Sequence, residues 1–319
     1  MVLIADSGAT KTDWCVIGYG GSTWRFRTEG INAAVMPVAD MRKVVETAAL
    51  KIAEVVLHQN QSHTDSMYEA AVESISELHF YGAGLLAGAS WNRLSEILRE
   101  IFCRADVSID TDLMAAARAL WGRIPGVVAI LGTGSNSCLY DGERIVKNVR
   151  PGGFVLGDEG GGAALGRMLL ADFVKGLVPA ELSAGLQESG LDYQTIVKNV
   201  YGPVNPAAYL ASFAPFVFEN IGHPYMRRMV EDNFRAFVRR SLCQYRIAGA
   251  VASGSVDAMA YGSGEELKVG VVGSLGCAGK DILMEVAGEE GIVMDRFLQS
   301  PMDGLIEYYG CRAVQEQAF

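Results

Sequence analysis

Short apolar runs alternate with helical stripes along the first part of the chain. From Val38 to Val55, apolar residues recur at three- and four-residue steps, which predicts an amphipathic helix, and a second helix is predicted around Trp91–Phe102. The strand-like runs, each bounded by turn residues, are Val2–Ala5, Asp13–Ile17, Ser22–Thr28, Leu78–Tyr81 and Val107–Ile109. This alternation of strands and helices predicts a mixed sheet flanked by helices.

The opening pattern returns near residue 127. An apolar strand, Val127–Leu131, is followed by a turn of glycine, threonine and serine and by strand-like Cys138–Tyr140 and Arg144–Val146. Aligning Gly134 with Gly8 sets the two copies 126 residues apart. The repeat indicates two similar lobes, although strand-glycine-strand patterns are common enough for a chance repeat to stay open.

The second half is more helical. We expect helices over Pro206–Glu219 and Tyr225–Tyr245, a strand over Val269–Val272 and a helix over Asp281–Ala287, while a terminal helix begins with Ser300 as its cap and Pro301 at its first position. The predicted domains are residues 1–116, with the terminal helix 300–319 packing back on them, and residues 117–299.

Composition narrows the class of protein. The chain has 319 residues, half of them hydrophobic, without an apolar run long enough to span a bilayer, and its first residues do not resemble a signal peptide. Its six cysteines are dispersed, and its net charge of −10 opposes binding of nucleic acid. We therefore expect a cytoplasmic protein with reduced thiols that binds neither nucleic acid nor membranes.

The first candidate site is the turn after the opening strand. Gly8 lets a phosphate approach the backbone, the hydroxyls of Thr10 and Thr12 can donate to it, Lys11 can add a charge, and Asp6 can hold hydrated Mg²⁺. An ordinary hairpin turn explains the same residues equally well. The turn is not a Walker P-loop, because the element that follows it reads as a strand.

Two further glycine turns could complete a nucleotide site. Gly132-Thr133-Gly134-Ser135-Asn136 matches the first turn, and two such turns can clamp a polyphosphate. Gly273-Ser274-Leu275-Gly276 could pack against an adenine ring, although a plain strand-to-helix turn explains it almost as well.

Carboxylates occur at two places where chemistry is plausible. In Asp110-Thr111-Asp112, one aspartate can be a helix N-cap, or Asp112 can accept the proton of an attacking hydroxyl. Gly152–Gly162 surrounds Asp158 and Glu159 with glycines, which is either a flexible spacer or a built loop.

Together these segments resemble the phosphate-1, connect-1, phosphate-2 and adenosine motifs of the actin, Hsp70 and sugar kinase superfamily. More narrowly, they resemble the BadF/BadG/BcrA/BcrD ATPase family and its N-acetylglucosamine kinase members, nearly end to end. The resemblance implies an α/β fold of two ribonuclease H-like (actin-like ATPase) lobes. Each lobe would be a mixed five-stranded sheet flanked by helices, with an interlobe cleft between them. It also implies ATP and Mg²⁺ as cofactors and an amino sugar as substrate.

The resemblance assigns roles position by position. Asp112 matches the catalytic base, and Asp6 matches the aspartate that orients Mg²⁺ through water. The positions that match contacts to the nucleotide are Asp6, Gly8, Thr10, Lys11, Thr12, Gly132, Thr133, Gly134, Gly273 and Ser274. Those that match contacts to the sugar are Asn32, Ser135, Asn136, Gly153 and Asp158.

The chain also departs from the family pattern. Cys277-Ala278-Gly279 stands where the family often has bulky aromatic residues. The pocket for the nucleotide base is therefore expected to be altered. Residues 247–266 look inserted and contain a competing Gly-Ser-Val at Gly254–Val256. The expected activity is ATP-dependent phosphorylation of the primary hydroxyl of an amino sugar, with N-acetylglucosamine foremost. The alternatives are an ATPase that activates a radical dehydratase and a non-catalytic amino-sugar sensor, and a homodimer is left open.

Overall fold

A computed structural model describes residues 1–8, 10–33, 36–57, 65–82, 89–202, 205–245 and 268–315. The chain divides into two compact units. The first comprises Met1–Gly122 together with Pro301–Phe319, and the second comprises Arg123–Ser300. Within the described ranges, every helix is too short or too polar to cross a membrane.

The first unit is built on a five-stranded mixed sheet. Its strands are β1 (Val2–Ser7), β2 (Lys11–Ile17), β3 (Thr23–Glu29), β4 (Glu77–Gly82) and β5 (Asp106–Thr111), in the order β3-β2-β1-β4-β5. β1, β2 and β3 form an antiparallel meander, whereas β4 and β5 run parallel to β1. Ser7, Gly82 and Thr111 share one register position, so the three parallel strands end together at one edge of the sheet.

Helices cover both faces of this sheet. Those of the first unit are α1 (Val38–Leu57), α2 (Asp65–Glu73), α3 (Ala89–Ile101), α4 (Asp112–Trp121) and the terminal helix (Met302–Gln315). The apolar stripe of α1 and residues of α3 bury Leu3, Ala5 and Trp14 in one core. On the other face, α4 and the terminal helix pack so closely that a Cβ on Gly304 would lie 2.3 Å from the carbonyl oxygen of Ala119.

The second unit repeats this topology. Its strands are β6 (Gly126–Leu131), β7 (Ser135–Tyr140), β8 (Ile145–Val149), β9 (Lys268–Val272) and β10 (Val293–Leu298), in the order β10-β9-β6-β7-β8. The antiparallel and parallel pairs follow the same pattern as in the first unit. The expected fold of two mixed five-stranded sheets flanked by helices is confirmed.

The register of the repeat differs from the sequence alignment. β1 begins at Val2 and β6 at Gly126, and both strands have six residues, so equivalent positions lie 124 residues apart rather than 126. Gly8 therefore corresponds to Gly132 and not to Gly134. The glycine-by-glycine alignment was misled because both turns contain more than one small residue.

The helices of the second unit are α5 (Gly153–Leu156), α6 (Gly162–Val174), α7 (Ala180–Glu188), α8 (Tyr193–Tyr201), α9 (Pro206–Ala211), α10 (Ala214–Glu219), α11 (Pro224–Phe237), α12 (Ser274–Ala278) and α13 (Lys280–Glu289). α11 continues as a π-helical turn, Val238–Leu242. The helical prediction over Pro206–Glu219 is confirmed as two helices: the chain breaks at Ser212 and Phe213, next to Pro215, whose nitrogen has no hydrogen to donate.

Two further predictions concern the last part of the chain. The terminal helix begins at Met302, one residue later than expected, and the Pro301 carbonyl accepts the first helical hydrogen bond from Leu305 N–H at 2.9 Å. Residues 247–266, with their competing Gly-Ser-Val, lie outside the described residues.

Candidate functional site

Two carboxylates lie at the edge where the parallel strands of the first unit end. Asp6 is the penultimate residue of β1, and Asp112 directly follows β5. Both side chains are half-buried. Burial, followed by the charge of Asp112, raises the pKa of Asp6 to about 7, and burial raises the pKa of Asp112 to about 6. Two like charges that lie close together in a site of low polarity favour the binding of a cation or of a proton.

Asp112 is not the cap of α4. The cap is Thr111, whose hydroxyl accepts a hydrogen bond from Met114 N–H at 3.3 Å, while Asp110 accepts from Thr111 N–H and lies 3.6 Å from Arg118. Asp112 is the first residue of the helix, and its Oδ1 accepts from Leu113 N–H at 2.9 Å. The capping explanation for Asp112 or Asp110 is therefore wrong.

Asp112 also has the properties of a general base. A carboxylate with a pKa of about 6 is mostly ionised at neutral pH, and it is more basic than an ordinary aspartate. The N-terminal position on α4 favours its negative charge. Because Thr111 caps the helix and only Oδ1 of Asp112 bonds Leu113 N–H, the second oxygen of Asp112 can serve a ligand.

The first glycine turn presents exposed groups. Gly8 and Thr10 are exposed, and Gly8 N–H donates to the Lys11 carbonyl at 2.9 Å. The ammonium of Lys11 lies 2.9 Å from Asp13, which also pairs with Arg27. Although burial alone would raise the pKa of Asp13, hydrogen bonds from these two cations lower it. Lys11 is thus held on β2, and contact with a phosphate would require it to exchange partners.

Thr12 does not fit its expected role. Its side chain is fully buried, and its hydroxyl donates to the Glu29 carbonyl at 3.1 Å and lies 2.8 Å from the Ser7 hydroxyl. Ser7 in turn accepts a hydrogen bond from Ile31 N–H at 2.9 Å. These two hydroxyls hold the segment that carries Asn32 next to the first glycine turn, so Thr12 acts inside the protein rather than on a phosphate.

The two equivalent glycines, Gly8 and Gly132, are not explained by the fold. Neither has a positive φ angle. Among the described residues, a Cβ at Gly8 would meet only the Lys11 carbonyl oxygen, at an ordinary 3.7 Å, and a Cβ at Gly132 would meet nothing within 4 Å. Open space in front of the same position in both hairpins is what a closely approaching ligand would need.

An apolar cavity of about 280 Å³ opens beside the second turn. Its wall is formed by the turn, the start of α6, the break between α9 and α10, and α12. The lining residues are Gly132, Thr133, Gly162, Ala211, Ala214, Pro215, Phe218, Ser274, Leu275 and Ala278. An apolar slot next to exposed hydroxyl and backbone groups suits a nucleoside with its phosphates at Thr133.

The sequence analysis did not identify several residues of this cavity wall. Ala211, Ala214 and Phe218 carry no motif, although Pro215 signals the helix break that brings them together. Aromatic rings from other helices pack against the small residues at 277–279. A Cβ on Gly279 would lie 2.5 Å from the ring of Phe234 and 3.3 Å from that of Phe218.

Gly273 is required by the turn itself. Its φ is +125°, and a Cβ there would lie 2.3 Å from the Leu131 carbonyl oxygen. The turn explanation for this motif therefore holds, while Ser274, the first residue of α12, lines the cavity as well.

The glycine-rich loop is built rather than a spacer. A Cβ on Gly157 would lie 1.9 Å from the Pro151 carbonyl oxygen, and one on Gly161 would lie 2.7 Å from the backbone of Gly134. Within this loop Asp158 is buried and has a φ of +58°, an uncommon conformation for a residue with a side chain. The spacer explanation is therefore wrong.

Asp158 lies against the second glycine turn. A Cβ on Gly134 would come within 2.7 Å of its Oδ2, and Ser135 N–H makes a long hydrogen bond of 3.5 Å to its Oδ1. Burial raises the pKa of Asp158, while the bond from Ser135 opposes the rise. The structure thus brings Asp158, Ser135 and the turn together at one edge of the second sheet.

The other residues that match sugar contacts are spread over several elements. The Asn136 side-chain oxygen accepts from Ser137 N–H and from Asn148 Nδ2, both at 2.9 Å. Gly153 is exposed at the start of α5. Asn32 is half-buried after β3, in the first unit.

The acidic pair suits Mg²⁺ by its chemistry. Hard divalent cations prefer carboxylate oxygens and water, and Mg²⁺ is commonly bound through one or two carboxylates together with substrate phosphates. Asp6 and Asp112 offer such oxygens, and the charge of Asp112 helps to raise the pKa of Asp6 although Lys11 opposes the rise. No cluster of three or more potential metal-binding side chains occurs in the described part of the chain.

Two solved structures are similar to this chain along nearly its whole length. A protein from Porphyromonas gingivalis, described as "Putative N-acetylglucosamine Kinase", is 35% identical, with a TM-score of 0.81 over 97% of this chain and 98% of that chain. A Chromobacterium violaceum protein with the same description is 21% identical, with a TM-score of 0.63 over 97% and 99% of the two chains.

A more distant structure shows the breadth of the fold. A ROK family transcriptional regulator, a homolog of the E. coli MLC protein, is 11% identical, with a TM-score of 0.58 over 96% of this chain and 77% of that chain. No protein-family model and no curated protein matches the chain. The narrower resemblance to the BadF/BadG/BcrA/BcrD family is thus not confirmed by a family model.

Proposed function

Because this chain belongs to the same family as the Porphyromonas gingivalis protein, we propose that it is an ATP-dependent sugar kinase. Its acceptor is the primary hydroxyl of an amino sugar, with N-acetylglucosamine as the foremost substrate and the 6-phosphate as product. The observation that carries the proposal is Asp112: it is an ionisable carboxylate at the start of α4, beside Asp6, and it is relieved of capping by Thr111.

The nucleotide contacts follow from the second unit. The base and ribose occupy the apolar cavity at Phe218 and Ser274, and the phosphates approach Thr133. Gly132 leaves room for the phosphates to reach the backbone of the second turn. ATP is the donor in this proposal because the cavity has the size and character of a nucleoside site.

The acceptor is activated by Asp112. As the O6–phosphorus bond forms and the bond from phosphorus to the ADP oxygen breaks, Asp112 takes the proton of the sugar hydroxyl. Asp6 would hold Mg²⁺ through water, and the ion would supply positive charge that offsets the charge of the transferring group. Asp158 orients the sugar hydroxyls, so that the attacking oxygen is held in line; Asn32 is a further candidate for a sugar contact.

The proposal is tested by identifying the product. The protein is incubated with Mg-ATP and N-acetylglucosamine, and phosphorus NMR together with mass spectrometry determines where the phosphoryl group goes. We expect N-acetylglucosamine 6-phosphate in equal amount to ADP. Phosphate at another carbon would contradict the assigned geometry, and inorganic phosphate released without sugar would favour the ATPase-activator alternative.

A further inference from the structure

A buried asparagine on α11 clamps the loop that carries Asp158. Asn233 is only 2% exposed, and its side-chain amide uses both of its polar atoms on two consecutive residues. Its Oδ1 accepts from Gly160 N–H at 2.9 Å, and its Nδ2 donates to the Gly161 carbonyl at 3.2 Å. A buried amide whose polar atoms are all hydrogen-bonded in this way fixes the positions of the two peptide groups that it bonds.

Two other contacts come from the same side of the helix. Phe237, one turn after Asn233, is so close to Gly160 that a Cβ there would lie 2.8 Å from the Cβ of Phe237. Arg240, in the π-helical turn, pairs with Glu159 at 2.6 Å. Spacings of four and three residues place these three side chains on one helix face, which follows residues 159–161 of the loop.

The loop transmits this constraint to Asp158. The Asp158 carbonyl accepts from Gly161 N–H at 2.9 Å, its N–H donates to Pro151, and its φ of +58° is held between these bonds. A residue in this uncommon conformation stays there only when its surroundings fix it. Loss of the clamp would free the peptide that closes the turn, and the Asp158 carboxylate would lose its place against Ser135.

The phosphate turn has bonds of its own to the start of α6. Gly162 N–H donates to the Gly132 carbonyl and Ala163 N–H to the Thr133 carbonyl, both at 2.8 Å, from the first turn of α6. Asn233 makes neither of these bonds; it shares a peptide group only with the first, because the Gly161 carbonyl that it bonds belongs to the same peptide as Gly162 N–H, and the bond from Ala163 to Thr133 does not depend on it. Its removal should therefore disturb the sugar contact more than the nucleotide contact.

We propose that Asn233 is a positioning residue for sugar recognition, which acts by fixing the Asp158 carboxylate through its bonds to Gly160 N–H and to the Gly161 carbonyl. The inference rests on the proposed kinase function and deepens it. Asn233 itself touches no substrate in this proposal.

The test is a double-mutant cycle with Asn233→Ala, Asp158→Asn and the combination. We expect Asn233→Ala to raise the KM for N-acetylglucosamine ~10-fold or more and to change the KM for ATP by less than about threefold. If Asn233 acts through Asp158, its effect on the sugar KM should nearly vanish in the Asp158→Asn background. Effects that multiply fully, or equal changes in both KM values, would overturn the inference.

A matched control separates positioning from loss of stability. Leu186→Ala removes a buried side chain of α7 in the same core; it should lower the Tm and leave both KM values unchanged. Hydrogen exchange gives a readout independent of turnover: Asn233→Ala should speed exchange in peptides covering residues 158–162, and Leu186→Ala should not. Unchanged exchange there would overturn the clamp. Absence of turnover by the wild type with every sugar would overturn the proposed function and this inference together.

Discussion

Replacing Asp112 with asparagine is expected to remove most turnover and yet to stabilise the protein. Burial raises the pKa of Asp112 from 3.8 to about 6, and a pKa that rises by one costs the ionised form about 1.4 kcal/mol. The ionised carboxylate therefore lowers the free energy of unfolding by about 3 kcal/mol at pH 8. Asparagine has the same shape without the charge, and its oxygen can still accept the hydrogen bond from Leu113 N–H.

The gain should depend on pH in one direction. In the unfolded chain Asp112 loses its proton near pH 4, whereas the folded protein keeps it until about pH 6, so the folded state binds more protons between these values. Wild-type stability therefore falls as pH rises through this window. The variant lacks this contribution, so its advantage is absent below about pH 4 and complete above about pH 7.

Urea unfolding across this pH range, without nucleotide or Mg²⁺, measures the effect, and ADP release measures turnover. We expect kcat to fall by about 10² to 10⁴-fold. Asp106→Asn, at the exposed start of β5, is the control and should change neither quantity. A variant that is less stable than the wild type at pH 8, or a gain that persists at pH 4, would refute the electrostatic reasoning.

The other predictions concern the turns, the cavity and the pH profile. Gly132→Ala should leave the Tm nearly unchanged and raise the KM for ATP, whereas Gly273→Ala should lower the Tm, because only Gly273 needs its positive φ; equal Tm losses would contradict this. Ala214→Phe should fill the cavity and raise the KM for ATP but not for sugar; an unchanged ATP KM would place the base elsewhere. Finally, kcat/KM should rise with pH to a plateau above about 6, as Asp112 ionises; a flat profile from pH 5 to 8 would argue against that base.

The strands were predictable because their signals are local. Apolar runs ended by glycine turns located β1, β2 and the hairpin of β6 and β7, and the repeat of that pattern indicated two related sheets. Alternation of strands and helices then sufficed for the fold class. The register of the repeat was not predictable, because either glycine of the second turn could be aligned with Gly8.

The nucleotide cavity was less predictable, because its wall depends on packing between distant elements. Ala211 and Ala214 look like any helix residues, and their role arises only when the chain breaks before Pro215. The break itself had a signal, since a proline inside a helical pattern usually ends or kinks the helix.

Thr12 and Asn233 show the same limit in side chains. A threonine in a glycine turn reads as a phosphate donor, yet the pairing of β2 with β3 turns its hydroxyl inward to Glu29. Asn233 follows Met226 and Val230 on the buried stripe of α11, and a lone amide among apolar positions was a usable signal. Its partners, Gly160 and Gly161, are more than 70 residues away and could not be read from that pattern.

The most direct test of the kinase account is ADP release measured with Mg-ATP across a panel of amino sugars and plain hexoses, with and without sugar. The account predicts ADP formation that depends on an amino sugar, is strongest with N-acetylglucosamine and is lost in Asp112→Asn. Sugar binding without ADP formation would identify a sensor, and ADP formation that no sugar changes would identify an ATPase. Either result would contradict the central claim.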